Sequence, residues 1–142
     1  MTTHRHGACL CGQVQVALHS APLVVAACHC RHCRKTSGSA FSLVAVMLAD
    51  GVEVNGPVAE YLDTADSGTA VTRRFCGACG SPVETASAET AKQGTRIVKL
   101  GLFDELDELV PRMELFCDGR AGWLPAFTET QTFAAMPAAP GA

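Results

Sequence analysis

The sequence predicts a mostly β protein with little helix. Three observations carry that prediction. Short apolar or alternating segments recur along the chain. Gly, Pro, Asp-Gly and Asn-Gly signals separate them. No sustained helical period and no internal repeat is present. The 142 residues suit one domain. A chain of that size buries enough surface for an ordinary core without covalent staples.

Val14, Val16 and Leu18 alternate with small or polar residues, which is a half-buried strand. Pro22 to Ala27 is a short apolar approach to a cysteine-rich stretch, and Thr36 to Ser39 is a turn. Phe41 to Leu48 is mostly apolar and is expected to be a buried strand. Asp50-Gly51 and Asn55-Gly56-Pro57 bracket a short Val52 to Val54 strand. Val58 to Leu62 is a further strand candidate, followed by a polar loop from Asp63 to Gly68. Val71 to Phe75 leads into a second cysteine group. Ala86 to Gly94 fits either a short helix or a loop. Arg96 to Leu102 is expected to be a strand, Phe103 to Val110 to hold a helical turn, and Met113 to Cys117 to form a last strand. The domain is expected to span 1–133, with a frayed, low-complexity tail at 134–142.

Composition narrows the function classes. Hydrophobic residues make up 48% and charged residues 18%, a globular and not a disordered balance. A formal net charge of −3 excludes a general nucleic-acid binder, which needs a basic face. No apolar run reaches the length of a membrane span. The first residues have no secretory apolar core, so a cytoplasmic setting with reduced thiols is expected. Eight cysteines in such a setting call for something other than disulfides.

Seven of the eight fall into three groups. Cys9 and Cys11 form C-x-C; Cys28, Cys30 and Cys33 form C-x-C-x-x-C; Cys76 and Cys79 form C-x-x-C. Thiolates so spaced can converge on one zinc ion, and structural zinc prefers four such ligands. The glycines around Cys76 to Gly80 permit a sharp turn and free backbone NH groups to face sulfur. Cys9 and Cys11 supply the pair that closes this shell. Cys28, Cys30 and Cys33 then remain, and three protein ligands leave one tetrahedral position open, the mark of catalytic zinc. Arg31, Arg34 and Lys35 stand ready to offset the excess negative charge. The alternative is a second structural zinc, with His29, His32 or Cys117 as fourth ligand. His29 is the weaker candidate, because a C-x-C turn points its middle residue away from the metal. Cys117 reads as a core thiol, Trp123 as core, His4, His6 and His19 as exposed, and Asp104 to Glu108 as a solvated face.

These motifs resemble a known family. Gly7-Ala8-Cys9-Leu10-Cys11-Gly12, then Cys28 to Ser39 as C-x-C-x-x-C-R-K-x-x-G-S, then Phe75 to Ser81 as F-C-x-x-C-G-S are similar in order and spacing to the glutathione-dependent formaldehyde-activating, or centromere-protein-V, family. Gly101 to Asp104, Pro111 and Arg120-Ala121-Gly122-Trp123 resemble its downstream signature, with Phe103 where the family tends to have leucine. The resemblance implies an Mss4-like β-tent of coiled antiparallel sheets. It implies two zinc ions per chain: a structural one on Cys9, Cys11, Cys76 and Cys79, and a catalytic one on Cys28, Cys30 and Cys33. It implies carbon–sulfur lyase chemistry that joins formaldehyde to a thiol such as glutathione. Arg34 or Lys35 would contact a glutathione carboxylate. The rival expectations are a non-catalytic zinc module and a thiol or metal sensor.

Overall fold

The structure is a computed structural model that describes residues 4–137. Eleven strands form two sheets. β1 (Arg5–Ala8), β2 (Gln15–Leu18) and β5 (Val52–Asn55) make the small sheet, in the order β1-β2-β5. The large sheet holds β3 (Val24–Cys28), β4 (Ser42–Leu48), β6 (Val58–Thr64), β7 (Ala70–Cys76), β8 (Pro82–Ser87), β9 (Thr95–Lys99), β10 (Met113–Leu115) and β11 (Gln131–Thr132). Its order is β11-β10-β3-β4-β9-β8-β7-β6. Two short α-helices, α1 (Arg31–Ser37) and α2 (Ala88–Gln93), and three single 3-10 turns at Ala49–Gly51, Leu100–Leu102 and Cys117–Gly119 complete the regular structure of the described residues. The mostly β class with little helix is therefore what the chain adopts.

The core forms where side chains of the two sheets meet. Val14, Val16 and Leu18 are fully buried, as their alternation requires. They pack in one cluster with Val52, Ala45, Met47, Val98, Leu100, Leu102 and Phe103.

Several elements depart from expectation. The turn placed at Thr36 to Ser39 is the end of α1, closed by Gly38 at φ 62°. Seven residues are too few to print a helical period. The Cys30 side chain caps α1 by accepting from the Cys33 NH at 3.2 Å. β6 runs on to Thr64 instead of ending before a polar loop at Asp63. Ala86 to Gly94 divides: β8 ends at Ser87, which forms a capping box with Thr90 and starts α2. β8 and β11 have no clear signal in the sequence, β8 because its central residues Glu84 and Thr85 are polar. Phe103 to Val110 contains no helix, only a turn in which Leu109 NH donates to the Leu106 carbonyl at 2.8 Å. Trp123 is 76% exposed and not core. β10 pairs parallel with both β3 and β11, whereas the other pairings are antiparallel. In the expected tail, the carbonyls of Ala134 and Ala135 accept from Asp118 and Phe116; residues 138–142 lie outside the described part.

β10 brings a buried carboxylate to the end of β3. Glu114 has no exposed surface. Its Oε1 lies 3.0 Å from His29 Nε2 and accepts from Arg120 Nη2 at 3.0 Å. Its Oε2 accepts from the Phe127 NH at 3.0 Å and from Thr130 Oγ1 at 2.5 Å. Phe41 and Phe127 flank the His29 ring, with centroids at 5.8 and 6.5 Å. Gly119 is obligatory here, since a Cβ would sit 2.7 Å from the His29 carbonyl oxygen. One carboxylate thus fastens residues 114–130 to the turn after β3.

Burial pushes the Glu114 carboxyl up, but hydrogen bonds from Thr130, His29, Phe127 and Arg120 outweigh it and hold the group below its ordinary 4.5. A depressed folded-state pKa stabilises the fold above the unfolded value, and that contribution is lost as pH falls through the folded value. Glu114→Ala should therefore cost about 3–5 kcal/mol at neutral pH, because it strands buried partners. Denaturant midpoints at pH 7 and below pH 4 should show the gap from wild type narrowing with acid. A gap that stays constant would contradict the role given to the charge.

Candidate metal centres

Folding brings seven thiols to two points. The Sγ atoms of Cys9, Cys11, Cys76 and Cys79 all lie within 4.8 Å of one another. Cys9 and Cys11 occupy the turn between β1 and β2, while Cys76 ends β7 and Cys79 lies in the turn that leads to β8. Gly12 at φ 83° and Gly80 at φ 81° close these turns in the left-handed region. The Cys9–Cys11 and Cys11–Cys76 sulfur separations are 3.6 and 3.8 Å. A tetrahedron of zinc–sulfur bonds has edges of about 3.8 Å, so the donor set fits that ion. All eight cysteines are free thiols.

Backbone NH groups already face these sulfurs. Val14 NH donates to Cys9 Sγ at 3.2 Å, and the Ala78 and Cys79 NH groups donate to Cys76 Sγ at 3.4 Å. The Ser81 hydroxyl and NH draw the Cys79 thiol down to about 5. The Gln13 NH pulls Cys11 the same way, but burial and the neighbouring thiols push it up to about 11. The four cannot all ionise without a cation among them.

The second point is formed by Cys28, at the end of β3, with Cys30 and Cys33 at the start of α1. Their Sγ atoms also lie within 4.8 Å of one another. Cys28 and Cys33 are buried, while Cys30 is half-buried. Hydrogen bonds from the Cys28 and then the Cys33 thiol draw Cys30 down to about 2, and the same bond pushes Cys28 up. Soft thiolates in this number suit zinc as well. Two thiol clusters able to hold zinc are thus present.

The candidate fourth ligands lie elsewhere. The His29 ring turns to Glu114, and Cys117 groups with His29 and Glu114, half-buried and accepting from Arg120 Nη2 at 3.2 Å. His32 Nδ1 lies 2.7 Å from Asp63 Oδ2, and its Nε2 lies 3.0 Å from Asp66. Asp66 and then Asp63 raise its pKa. Arg73 Nε donates to the same Asp63 oxygen at 2.8 Å, which ties α1 to β6 and β7. Lys35 is exposed, and Arg34 carries a buried Nε with no partner among the described residues. With Arg31, Gly38 and Ser39 they line one surface hollow. His4, His6, His19 and Asp104 to Glu108 are exposed, as expected.

Lys99 escaped notice in the sequence. It is 8% exposed, and its Nζ donates to Ser42 Oγ at 3.2 Å. Burial lowers its pKa, and the nearby Cys33 thiol opposes that. The available signal was a lone charge inside the apolar run from Ile97 to Leu102.

No helix among the described residues is long and apolar enough to cross a membrane. No curated protein matches the chain. Among solved structures, a crystal structure of a Rhodobacter sphaeroides protein from a structural genomics programme is similar, with a TM-score of 0.54 and 17% identity over 72% of this chain and 90% of that one. That likeness concerns the fold. The family model described as "Glutathione-dependent formaldehyde-activating enzyme" matches residues 4–119. Most of the chain, including both thiol clusters, falls within that match, and the protein belongs to the glutathione-dependent formaldehyde-activating enzyme family.

Proposed function

We propose that the protein is a zinc-dependent enzyme of the carbon–sulfur lyase type that acts on a thiol adduct. Glutathione and formaldehyde, giving S-hydroxymethylglutathione, are the leading substrate pair. One observation carries the reading. Cys28, Cys30 and Cys33 converge, and among the described residues no fourth His, Cys, Asp or Glu ligand atom joins them. A three-thiolate centre leaves one position for an exogenous thiol. The four-thiol cluster, complete in itself, is proposed to be structural.

Zinc at the three-thiol centre would supply Lewis acidity, holding an incoming thiol as its thiolate at neutral pH. The protein's own part is to hold and orient. Cys28 and Cys33 form the buried wall of the centre, and half-buried Cys30 marks its open side. In the overall addition, a carbon–sulfur bond forms at the carbonyl carbon. The carbonyl π pair moves to oxygen, which takes up the proton that the thiol released. Arg34 and Lys35 offer an outer contact for a carboxylate of the ligand. Eight free thiols suit a reducing, cytoplasmic setting.

Elemental analysis of freshly purified, reduced protein should find about two zincs per chain; none would refute the scheme. Cys76→Ala should give aggregated or molten protein, since structural zinc binding is folding free energy. An unchanged melting temperature would remove the structural role of that cluster. Cys30→Ser should stay folded, hold about one zinc, and lose thiol binding and turnover together. A folded Cys30→Ser protein with one zinc and unaltered thiol binding would instead favour a non-catalytic module.

A further inference from the structure

The strand registers set a row of side chains on the face that carries Cys28. Cys28 is opposite Ser42, and Val44, two residues along β4, is opposite Lys99. Thr85 is opposite Ile97, two residues from Lys99, and Arg73 is opposite Thr85. Tyr61 is opposite Arg73. Directly opposed residues, and residues two apart on one strand, share a face of the sheet. The row Cys28, Ser42, Lys99, Thr85, Arg73, Tyr61 therefore leads from the three-thiol centre across six strands, β3 to β6 in sheet order.

A basin of about 300 Å³ opens along this row, lined by Thr36, Tyr61, Arg73, Phe75, Thr85 and Lys99. Its polar groups are under-used. Thr85 Oγ1 is buried and has no hydrogen-bond partner among the described residues. Lys99 has no carboxylate within ion-pair distance among the described residues, and Ser42 is its single side-chain partner. Arg73 commits Nε to Asp63, and its terminal nitrogens make no hydrogen bond among the described residues. Glu84, a buried residue that also lines the basin, is already matched by Arg74 at 3.0 Å and Arg96 at 2.8 Å. A buried ammonium without a carboxylate is costly, so its place beside the basin asks for an anion.

We propose that this basin is the subsite for a carboxylate carried by the thiol ligand, with Lys99 as its specificity-determining contact and Arg73 and Thr85 as further donors. The proposal rests on the thiol-binding reading above and adds which thiols the site prefers. Sulfur enters the open position at Cys28, Cys30 and Cys33. The carboxylate lies along the row and accepts charge-assisted hydrogen bonds from Lys99 and Arg73. A neutral thiol gains none of these and leaves the donors unmatched.

The test is calorimetric titration of the zinc-loaded protein with 3-mercaptopropionate and with its methyl ester, a probe of the same skeleton lacking the charge. Wild type should bind the acid about 10–100-fold more tightly than the ester. Lys99→Met should bring the acid-to-ester ratio close to one, and Arg73→Gln should lower it in part. Zinc content and melting curves for each variant show that the centre is intact. If Lys99 only balances the charge of the thiolates, both probes weaken by one factor and the ratio survives, which overturns the proposal and leaves the thiol reading standing. Equal wild-type affinity for acid and ester overturns it too, without any variant. Binding of neither probe to zinc-loaded wild type overturns this proposal and the thiol reading together.

Discussion

Mutual repulsion among gathered thiolates is the constraint on which the rest of the molecule depends. Four sulfurs meet where the turn at Cys9 and Cys11 faces the turn at Cys76 and Cys79. Two of these, Cys9 and Cys76, are buried. Their protons compete, as the opposite displacements of Cys79 and Cys11 express. A divalent soft cation would remove that conflict and would join the small sheet to the far end of the large one. Backbone NH groups of Val14, Ala78 and Cys79 are already aimed at the sulfurs, so the turns are built for anions.

The second centre uses the edge of a strand to separate two tasks. Alternation sends Cys28 to one face of the large sheet and His29 to the other. The cysteine side carries the donor set, α1 and the basic basin. The histidine side carries Glu114, Arg120, Phe41 and Phe127, which hold the turn in place. The guanidinium of Arg120 bridges Glu114 and Cys117. It fills the cationic role that a metal would otherwise take among His29, Glu114 and Cys117.

The thiol groupings and the strands with apolar alternation were legible in the sequence, because both are local signals. Spacing alone brings Cys28, Cys30 and Cys33 together, and Val14, Val16 and Leu18 announce their buried face. What was not legible depends on register between distant strands. Lys99 and Arg73 share a face only because β8 stands between β9 and β7. Glu114 looks like an ordinary strand residue until β10 is laid parallel to β3. Trp123 misled because a large aromatic usually signals core, whereas here it is 76% exposed. β8 carried a buried glutamate, Glu84, whose partners Arg74 and Arg96 come from the strands on either side.

Membership of the formaldehyde-activating family and a three-thiol centre point the same way: toward a zinc ion with room for one more sulfur. Zinc X-ray absorption on the two-zinc protein, before and after addition of glutathione, tests that claim most directly. The expected result is about 3.5 sulfurs per zinc without the thiol and about four with it. Four sulfurs per zinc from the start, or an average that glutathione does not move, would contradict an open three-thiolate centre.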